Sequence, residues 1–103
     1  MNKYVDSVVP PGREFHFRNF HGRVLASANS LQSFRQVVGT VPGDILTHHA
    51  ARGDLSRWVR DVFADMELAR QIGKAEVRFQ RGELADLREM IDTLITARYG
   101  GAS

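Results

Sequence analysis

Hydrophobic and polar residues follow two different periods along the chain, and the change of period separates a strand region from a helical region. Two phenylalanines alternate with polar residues between residues 14 and 19, and a period of two predicts a half-buried strand. A tight turn at Gly22 and a second strand over residues 23–28 complete a predicted hairpin. Because a lone hairpin is not stable in water, it must pack on the helices or pair with another chain.

From residue 30 onward, apolar residues recur at steps of three and four, which is the helical period. The pattern predicts a first helix capped by Ser30. A second helix is predicted to begin at Pro42 and to end at Gly53, the residue expected to adopt the left-handed conformation. Asp54 is predicted to cap a third, short helix.

Two further helices are predicted in the second half of the chain. Asp65 is expected to cap the first of them, and Gly73 is expected to shorten or kink it, because glycine costs about 1 kcal/mol relative to alanine inside a helix. The last helix is amphipathic. Its apolar stripe is formed by Leu84, Leu87, Ile91 and Leu94.

The predicted fold is therefore α+β and predominantly helical, with an N-terminal β-hairpin packed on four to five short α-helices. We expect a flexible leader over residues 1–12, a single compact domain over residues 13–99 and a frayed tail over residues 100–103. The predicted core consists of Phe15, Phe17, Leu25, Leu31, Phe34, Val38, Leu46, Trp58, Val59, Val62, Leu68, Ile72 and Leu87.

The composition is that of a soluble globular domain, and it narrows the possible functions. The chain has 103 residues and no cysteine, which removes disulfides, Cys-ligated metal sites and thiol catalysis. No glycine-rich phosphate loop is present, so no nucleotide or other cofactor is expected. No apolar run has the length of a signal peptide or a membrane span, so the sequence predicts a cytoplasmic protein without membrane contact.

The densest polar segment, residues 48–61, has two interpretations. As chemistry, His49 would be an acid or base, oriented by Asp54 or Asp61, and Arg52 would bind an anion. As structure, Asp54 is a helix cap, Arg57 and Asp61 form an (i, i+4) pair, and His49 is a hydrogen-bonded histidine between two helices. The segment offers no nucleophile at a diagnostic spacing, so the structural interpretation is favoured and no catalytic residue is assigned.

The adjacent pair His48 and His49 does not predict a metal site. Neighbouring residues on a helix point about 100° apart and cannot easily chelate one ion. No histidine or carboxylate three or four residues away completes a ligand set, so no metal is expected.

The apolar stripe of the last helix predicts either closure of the chain's own core or a seam with a second chain, and both can hold in a small dimer. As a seam, its interface residues would be Leu84, Leu87, Ile91 and Leu94. The stripe covers only about two heptads, which is too short for an independent coiled coil.

The hairpin is a candidate surface for nucleic-acid binding, because aromatic and basic residues alternate along it. The residues concerned are Arg13, Phe17, Arg18, Phe20 and Arg23. Exposed aromatic rings on a sheet, flanked by arginine, bind single strands, but a small domain needs a large apolar face for its core, which favours Phe15 and Phe17 facing the helices instead. The net charge is only +2, with six Lys and Arg against three Asp and Glu in residues 1–52 and six of each in residues 67–103. The sequence therefore predicts binding of a nucleic-acid backbone less strongly than binding of another protein.

Residues 49–69 resemble a small uncharacterised bacterial and archaeal domain family. The shared pattern is His-x-x-Arg-Gly-Asp, then Trp-Val-Arg-Asp-Val, then Asp-x-x-Leu-Ala, preceded by an aromatic strand, a Gly turn and a Ser-Leu-x-x-Phe helix start. The resemblance covers roughly residues 14–72. Leu55 departs from the phenylalanine common in the family. The resemblance implies an accessory or interaction module and supplies no active site. The candidates it leaves for a polar network or partner contact are His49, Arg52, Asp54, Arg60 and Asp61.

The sequence thus favours a non-enzymatic protein-interaction or assembly module that forms a homodimer or binds another protein through the last helix. A nucleic-acid-binding regulator that uses the hairpin is the alternative. A small enzyme centred on His49, Arg52 and Asp54 is the third hypothesis.

Overall fold

A computed structural model describes residues 7–100. Within them the chain forms a two-stranded antiparallel hairpin followed by five helices, which confirms the predicted α+β, mainly helical fold. The elements are β1 (Phe15–Arg18), β2 (Val24–Ala28), α1 (Leu31–Val38), α2 (Gly43–Ala51), α3 (Asp54–Phe63), α4 (Met66–Gln80) and α5 (Leu87–Tyr99).

The ends of the predicted leader and tail, residues 1–6 and 101–103, lie outside the described residues. Within the described part of the predicted leader, Val9 is buried in the core. Its N–H donates to the carbonyl of Asn29 at 2.8 Å. The chain therefore contacts the core before the first strand begins.

The hairpin packs on the helices through one face. Phe15 pairs with Ala28 and Phe17 with Ala26, so these four side chains share a face, and both phenylalanines are buried. Leu25 lies on the opposite face and is 47% exposed. Its predicted place in the core is wrong, because the inward positions of β2 belong to alanines beside the large rings of β1.

Side-chain caps begin two of the helices as the sequence predicts. Ser30 accepts from the backbone N–H of Ser33, whose hydroxyl accepts from the N–H of Ser30 in return. Asp65 accepts from the N–H of Leu68 at 3.1 Å. Both caps lie within three residues of their donors, which is why local sequence predicts them.

The start of α3 corrects the prediction for Asp54. Gly53 occupies the N-cap in the left-handed conformation, with φ of 67°, and offers no side chain, while Asp54 is already the first helical residue. The acceptor comes from α4, where a carboxylate oxygen of Glu76 accepts from the N–H of Leu55 at 3.0 Å. The first turn of α3 is thus completed by another helix.

The helix α4 is continuous over its 15 residues and is not ended early by Gly73. At this glycine, a Cβ atom would lie 3.5 Å from Oγ of Ser56 on α3. The glycine therefore marks the contact between the two helices. None of the helices in residues 7–100 has the length and apolarity needed to cross a bilayer.

The core is formed by the hairpin phenylalanines, the inner faces of all five helices and the side chain of Trp58. The predicted core positions are buried except Leu25, which is exposed, and Val62, which is partly buried against the core. Leu87 and Ile91 of α5 are fully buried in it. The last helix therefore closes the core of its own chain.

Candidate functional site

An open depression of about 640 Å³ lies between the hairpin and the helices α2 and α3. It brings together most of the polar residues singled out from the sequence. Among its lining residues are Arg13, Arg18, Phe20, His49, Arg52, Asp54 and Asp61. Phe17, Arg23 and Arg60 do not line it.

His49 joins the three elements that surround the depression. The side chain extends from α2, and the residue is only 5% exposed. Its Nε2 accepts from the backbone N–H of Arg18 at the end of β1, at 2.9 Å. Its Nδ1 lies 2.9 Å from Oδ2 of Asp54 on α3. Because a backbone N–H can only donate, Nε2 carries no proton and Nδ1 donates to the carboxylate.

This arrangement keeps the imidazole neutral. Burial lowers the pKa of His49 below its ordinary value of 6.5, and the hydrogen bond and charge of Asp54 only partly oppose this effect. Both ring nitrogens are engaged, one of them by a backbone amide that does not move protons. The geometry therefore supports the structural interpretation of His49 and disfavours an acid–base role.

Asp54 is the acceptor at the centre of the polar cluster. Besides His49, its carboxylate accepts from Nε of Arg52 at 3.2 Å and from Nη1 of Arg57 at 2.9 Å. The predicted pair of Arg57 with Asp61 is wrong, since Arg57 turns toward the N-terminus of α3. Asp61 instead pairs with Arg60 at 3.0 Å. Two arginines thus share one carboxylate.

Trp58 ties the chain before β1 to α3. Its indole Nε1 donates to the carbonyl of Arg13 at 2.7 Å. The guanidinium of Arg13 donates in turn to the carbonyl of Asp61 at 3.2 Å. These two bonds hold the rim of the depression in place.

Three arginines at the hairpin carry charges that no carboxylate within residues 7–100 neutralises. Arg13 and Arg18 donate to backbone carbonyls, of Asp61 and Gly22 respectively. Neither they nor Arg23 belongs to an ion pair of the described residues. A carbonyl satisfies a hydrogen bond but leaves the positive charge uncompensated, and around the depression arginines outnumber carboxylates by four to three.

Phe20 differs from the other hairpin phenylalanines in its exposure. It lies in the turn between the strands, is 70% exposed, and its ring centroid is 5.1 Å from that of His48. Phe17 is buried and stacks on Phe34 within the core. The prediction that Phe17 stacks on a nucleic-acid base is therefore wrong for this fold, and Phe20 alone of that pair is accessible.

The predicted seam on α5 is also corrected by burial. Leu87 and Ile91 of α5 belong to the core, whereas Leu94 and Leu84, which lies three residues before α5 begins, are half-buried against its edge. An α-helix cannot present the same side chains to its own core and to a partner. Only Leu84 and Leu94 retain surface for a second chain.

The sequence did not identify Glu76, which is buried and polar. One carboxylate oxygen caps α3, and the other has no hydrogen-bond partner among residues 7–100. The signal was present in the sequence, because Glu76 shares a helical face with the apolar residues Ala69 and Ile72. A glutamate on such a face is usually paired or functional.

The described residues contain no group of three or more His, Asp or Glu side chains that could hold a metal ion. His48 and His49 are neighbours, but the second is already used by Arg18 and Asp54. Nothing in residues 7–100 therefore assigns a metal-binding role to this pair.

Comparison of the chain with family models, with curated proteins and with solved structures finds no match. The resemblance of residues 14–72 therefore stays an expectation.

Replacing His49 by leucine is expected to lower the free energy of unfolding by about 1–3 kcal/mol at pH 8, because the Arg18 N–H and the Asp54 carboxylate lose their buried partner. The wild type should also lose stability as the pH falls from 6.5, since the unfolded chain then takes up a proton that the folded imidazole resists. That contribution to the pH dependence should be missing from the variant.

Urea unfolding at several pH values measures both effects. His48→Leu is the matched control, since His48 contacts the rings of Phe20 and His49 and has no hydrogen bond recorded within residues 7–100. Equal stability of the His49 variant and the wild type at pH 8 would contradict the structural role.

Proposed function

We propose that the chain is a non-enzymatic protein-interaction module that binds an acidic segment of a partner protein in the depression between the hairpin and the helices α2 and α3. The observation that carries the proposal is the rim of unneutralised arginines beside the exposed ring of Phe20.

The charge of the rim favours carboxylates. Arg13 and Arg18 have no carboxylate partner within residues 7–100, and Arg52 and Arg57 share the single carboxylate of Asp54. Arginine presents a planar fork of donors that binds carboxylates in a bidentate geometry. An acidic segment laid in the depression would neutralise this excess and would be steered toward it before contact.

Phe20 supplies the apolar anchor of the proposed contact. Aromatic side chains are enriched among the few residues that carry most of the energy of an interface. The ring lies at the border of the depression, supported on one side by His48. The preferred partner is therefore an acidic segment that also contains a large apolar residue.

The two alternatives are supported less well. Single-stranded nucleic acid would use the same arginines, but stacking of successive bases needs several exposed rings, and Phe15 and Phe17 are buried. An enzyme centred on His49 would need a ring nitrogen free to exchange protons, and both are bound.

Self-association through the last helix stays a prediction, but the surface available for it is smaller than the sequence suggested. The surface left for it consists of Leu84 and Leu94, because the other two residues of the stripe lie in the core. Two half-buried leucines form a small contact compared with a stable dimer interface, so the proposal places partner binding at the depression.

The test uses fluorescence anisotropy with a labelled peptide of about 12 residues, a length chosen to span the depression, in which glutamate alternates with leucine and tryptophan. We expect binding that weakens with salt. The double variant Arg18→Glu, Arg23→Glu and the single variant Phe20→Ala should each weaken it about tenfold or more. Neither variant touches the backbone N–H of Arg18 that His49 accepts.

The matched control is the double variant Lys74→Glu, Arg78→Glu, which reverses two charges on the distant helix α4. Peptide affinity that is unchanged by the hairpin variants, or lowered only by the control, would overturn the proposal. A single-stranded oligonucleotide that binds in place of the peptide, and is lost in the hairpin variants, would favour the nucleic-acid alternative instead.

A further inference from the structure

The outer face of α4 carries a row of cations. Lys74, Arg78 and Arg81, at the end of the helix, are exposed and follow one another at steps of four and three. Residues at these steps lie on the same side of a helix. We call these three residues the α4 basic face. Between them lies Val77, which is 49% exposed.

The α4 basic face is not neutralised by residues 7–100. None of its three cations takes part in an ion pair of the described residues. The guanidinium of Arg78 donates only to the backbone carbonyl of Glu83, at 3.5 Å. Arg70, one turn earlier on the helix, shows the contrast, because Glu67 binds it through two hydrogen bonds of 3.1 and 2.7 Å.

Several carboxylates of the same part of the chain are used elsewhere, and the exposed Glu83, whose backbone contacts Arg78, forms no ion pair among the described residues. Glu76 is buried under α3, Asp86 caps α5 and Asp92 pairs with Arg35. Residues 67–103 contain equal numbers of basic and acidic residues, but none of the acidic ones pairs with the three cations of the α4 basic face within residues 7–100. The helix face is positive although the segment is neutral.

The α4 basic face is continuous with the α2–α3 side of the molecule. A second depression, of about 510 Å³, has Arg81, Val77 and the buried Glu76 of α4 and also Arg52 among its lining residues. Arg52 also lines the depression beside the hairpin. Arg52 therefore connects the two depressions, but its Nε pairs with Asp54 at 3.2 Å, so it is not one of the unpaired cations of the α4 basic face.

We propose that the α4 basic face binds the phosphate backbone of a nucleic-acid duplex. Lys74 and Arg81 lie seven residues apart, about 10 Å along the helix axis. One strand of a duplex passes about three phosphates over that length of the duplex axis, since each strand carries one charge per 3.4 Å of axis. The α4 basic face is therefore long enough for its side chains to reach several phosphates of one strand.

A bilayer surface fits this face less well. Helices that lie on membranes bury a wide apolar face among their cations, whereas Val77 is the single large apolar side chain exposed on this face within the described residues. Phosphate contacts need no apolar surface and carry no sequence information, so we expect binding that is independent of base sequence. This surface is separate from the proposed peptide site.

The test measures anisotropy of a labelled duplex of about 20 base pairs, and of one of its strands alone, between about 50 and 200 mM salt. We expect the duplex to bind with a log–log salt slope of about −3, and two duplexes of unrelated sequence to bind equally. The triple variant Lys74→Glu, Arg78→Glu, Arg81→Glu should weaken binding at least about tenfold, and Arg78→Gln should reduce the slope by about 1.

The control is the hairpin variant Arg18→Glu, Arg23→Glu, which should leave duplex binding within about twofold. Circular dichroism melts of both variants serve as a check of folding, and we expect both to fold because the substitutions are exposed. No duplex binding at 50 mM salt, equal binding by the triple variant, tighter binding of the single strand, or loss in the hairpin variant alone would each overturn the proposal. Binding of vesicles that contain phosphatidylserine, without binding of duplex, would overturn it in favour of a lipid surface.

Discussion

Replacing Phe17 by alanine is expected to lower the free energy of unfolding by about 3–5 kcal/mol, whereas the same change at Phe20 is expected to alter it by less than about 0.5 kcal/mol. The two residues lie three positions apart in one hairpin. Phe17 is buried and packs against Phe15 and Phe34, while Phe20 is 70% exposed. The difference follows from burial alone.

Urea unfolding followed by the fluorescence of Trp58 measures both variants. The free energy of unfolding of a domain of this size is about 5–15 kcal/mol, so replacing Phe17 by alanine removes a large fraction of it. If Phe17→Ala unfolds the chain at all urea concentrations, Phe17→Leu gives a smaller cavity and a measurable loss. Equal effects at the two positions would mean that the hairpin does not pack on the helices through β1.

Replacing Glu76 by glutamine is expected to remove a fall in stability between about pH 4.5 and pH 7, worth about 2–3 kcal/mol in the wild type. Burial raises the pKa of Glu76 from 4.5 to about 7, although hydrogen bonds from Ser56 and Leu55 oppose the rise. In that window the unfolded chain releases a proton that the folded chain keeps. The contribution of Glu76 to the free energy of unfolding is therefore most favourable below pH 4.5, and it decreases as the pH rises toward 7.

Glutamine keeps a carbonyl acceptor for the N–H of Leu55 and cannot ionise, so Glu76→Gln should exceed the wild type in stability at pH 8 and approach it near pH 4.5. The exposed residue Glu83 provides the control, as Glu83→Gln removes the same charge without the burial. His49 contributes with the opposite sign below pH 6.5, so the variants must be compared with the wild type at each pH. A Glu76→Gln variant with the wild-type pH dependence would contradict this role.

Features set by neighbouring residues were predictable from the sequence. Ser30 and Asp65 cap helices whose donor N–H groups lie three residues away, so the local sequence contains the whole interaction. The hairpin was predictable from the period of two in its first strand. The left-handed conformation of Gly53 was predictable from its position after the second helix. In the candidate site, His49 and Asp54 share a segment of six residues, so their meeting could be anticipated.

Features set by packing were not predictable. The face of β2 that meets the helices depends on which residues of β1 stand opposite, and that choice places Leu25 outside. The hydrogen bond from Arg18 to His49 joins residues 31 positions apart. Likewise, the last helix shows an apolar stripe whether it meets its own core or a partner, and only the fold decides that Leu87 is inside.

The cap that α4 provides to α3 also has a consequence for how the chain folds. Gly53 leaves the first turn of α3 without an acceptor of its own, and that acceptor, Glu76, is 21 residues away from the donor Leu55. An isolated α3 would therefore fray at its start, because helix nucleation is costly and an uncapped turn makes it costlier. The start of α3 therefore becomes ordered only when α4 is in place, whereas α4 has its own cap at Asp65 and does not depend on α3 in this way.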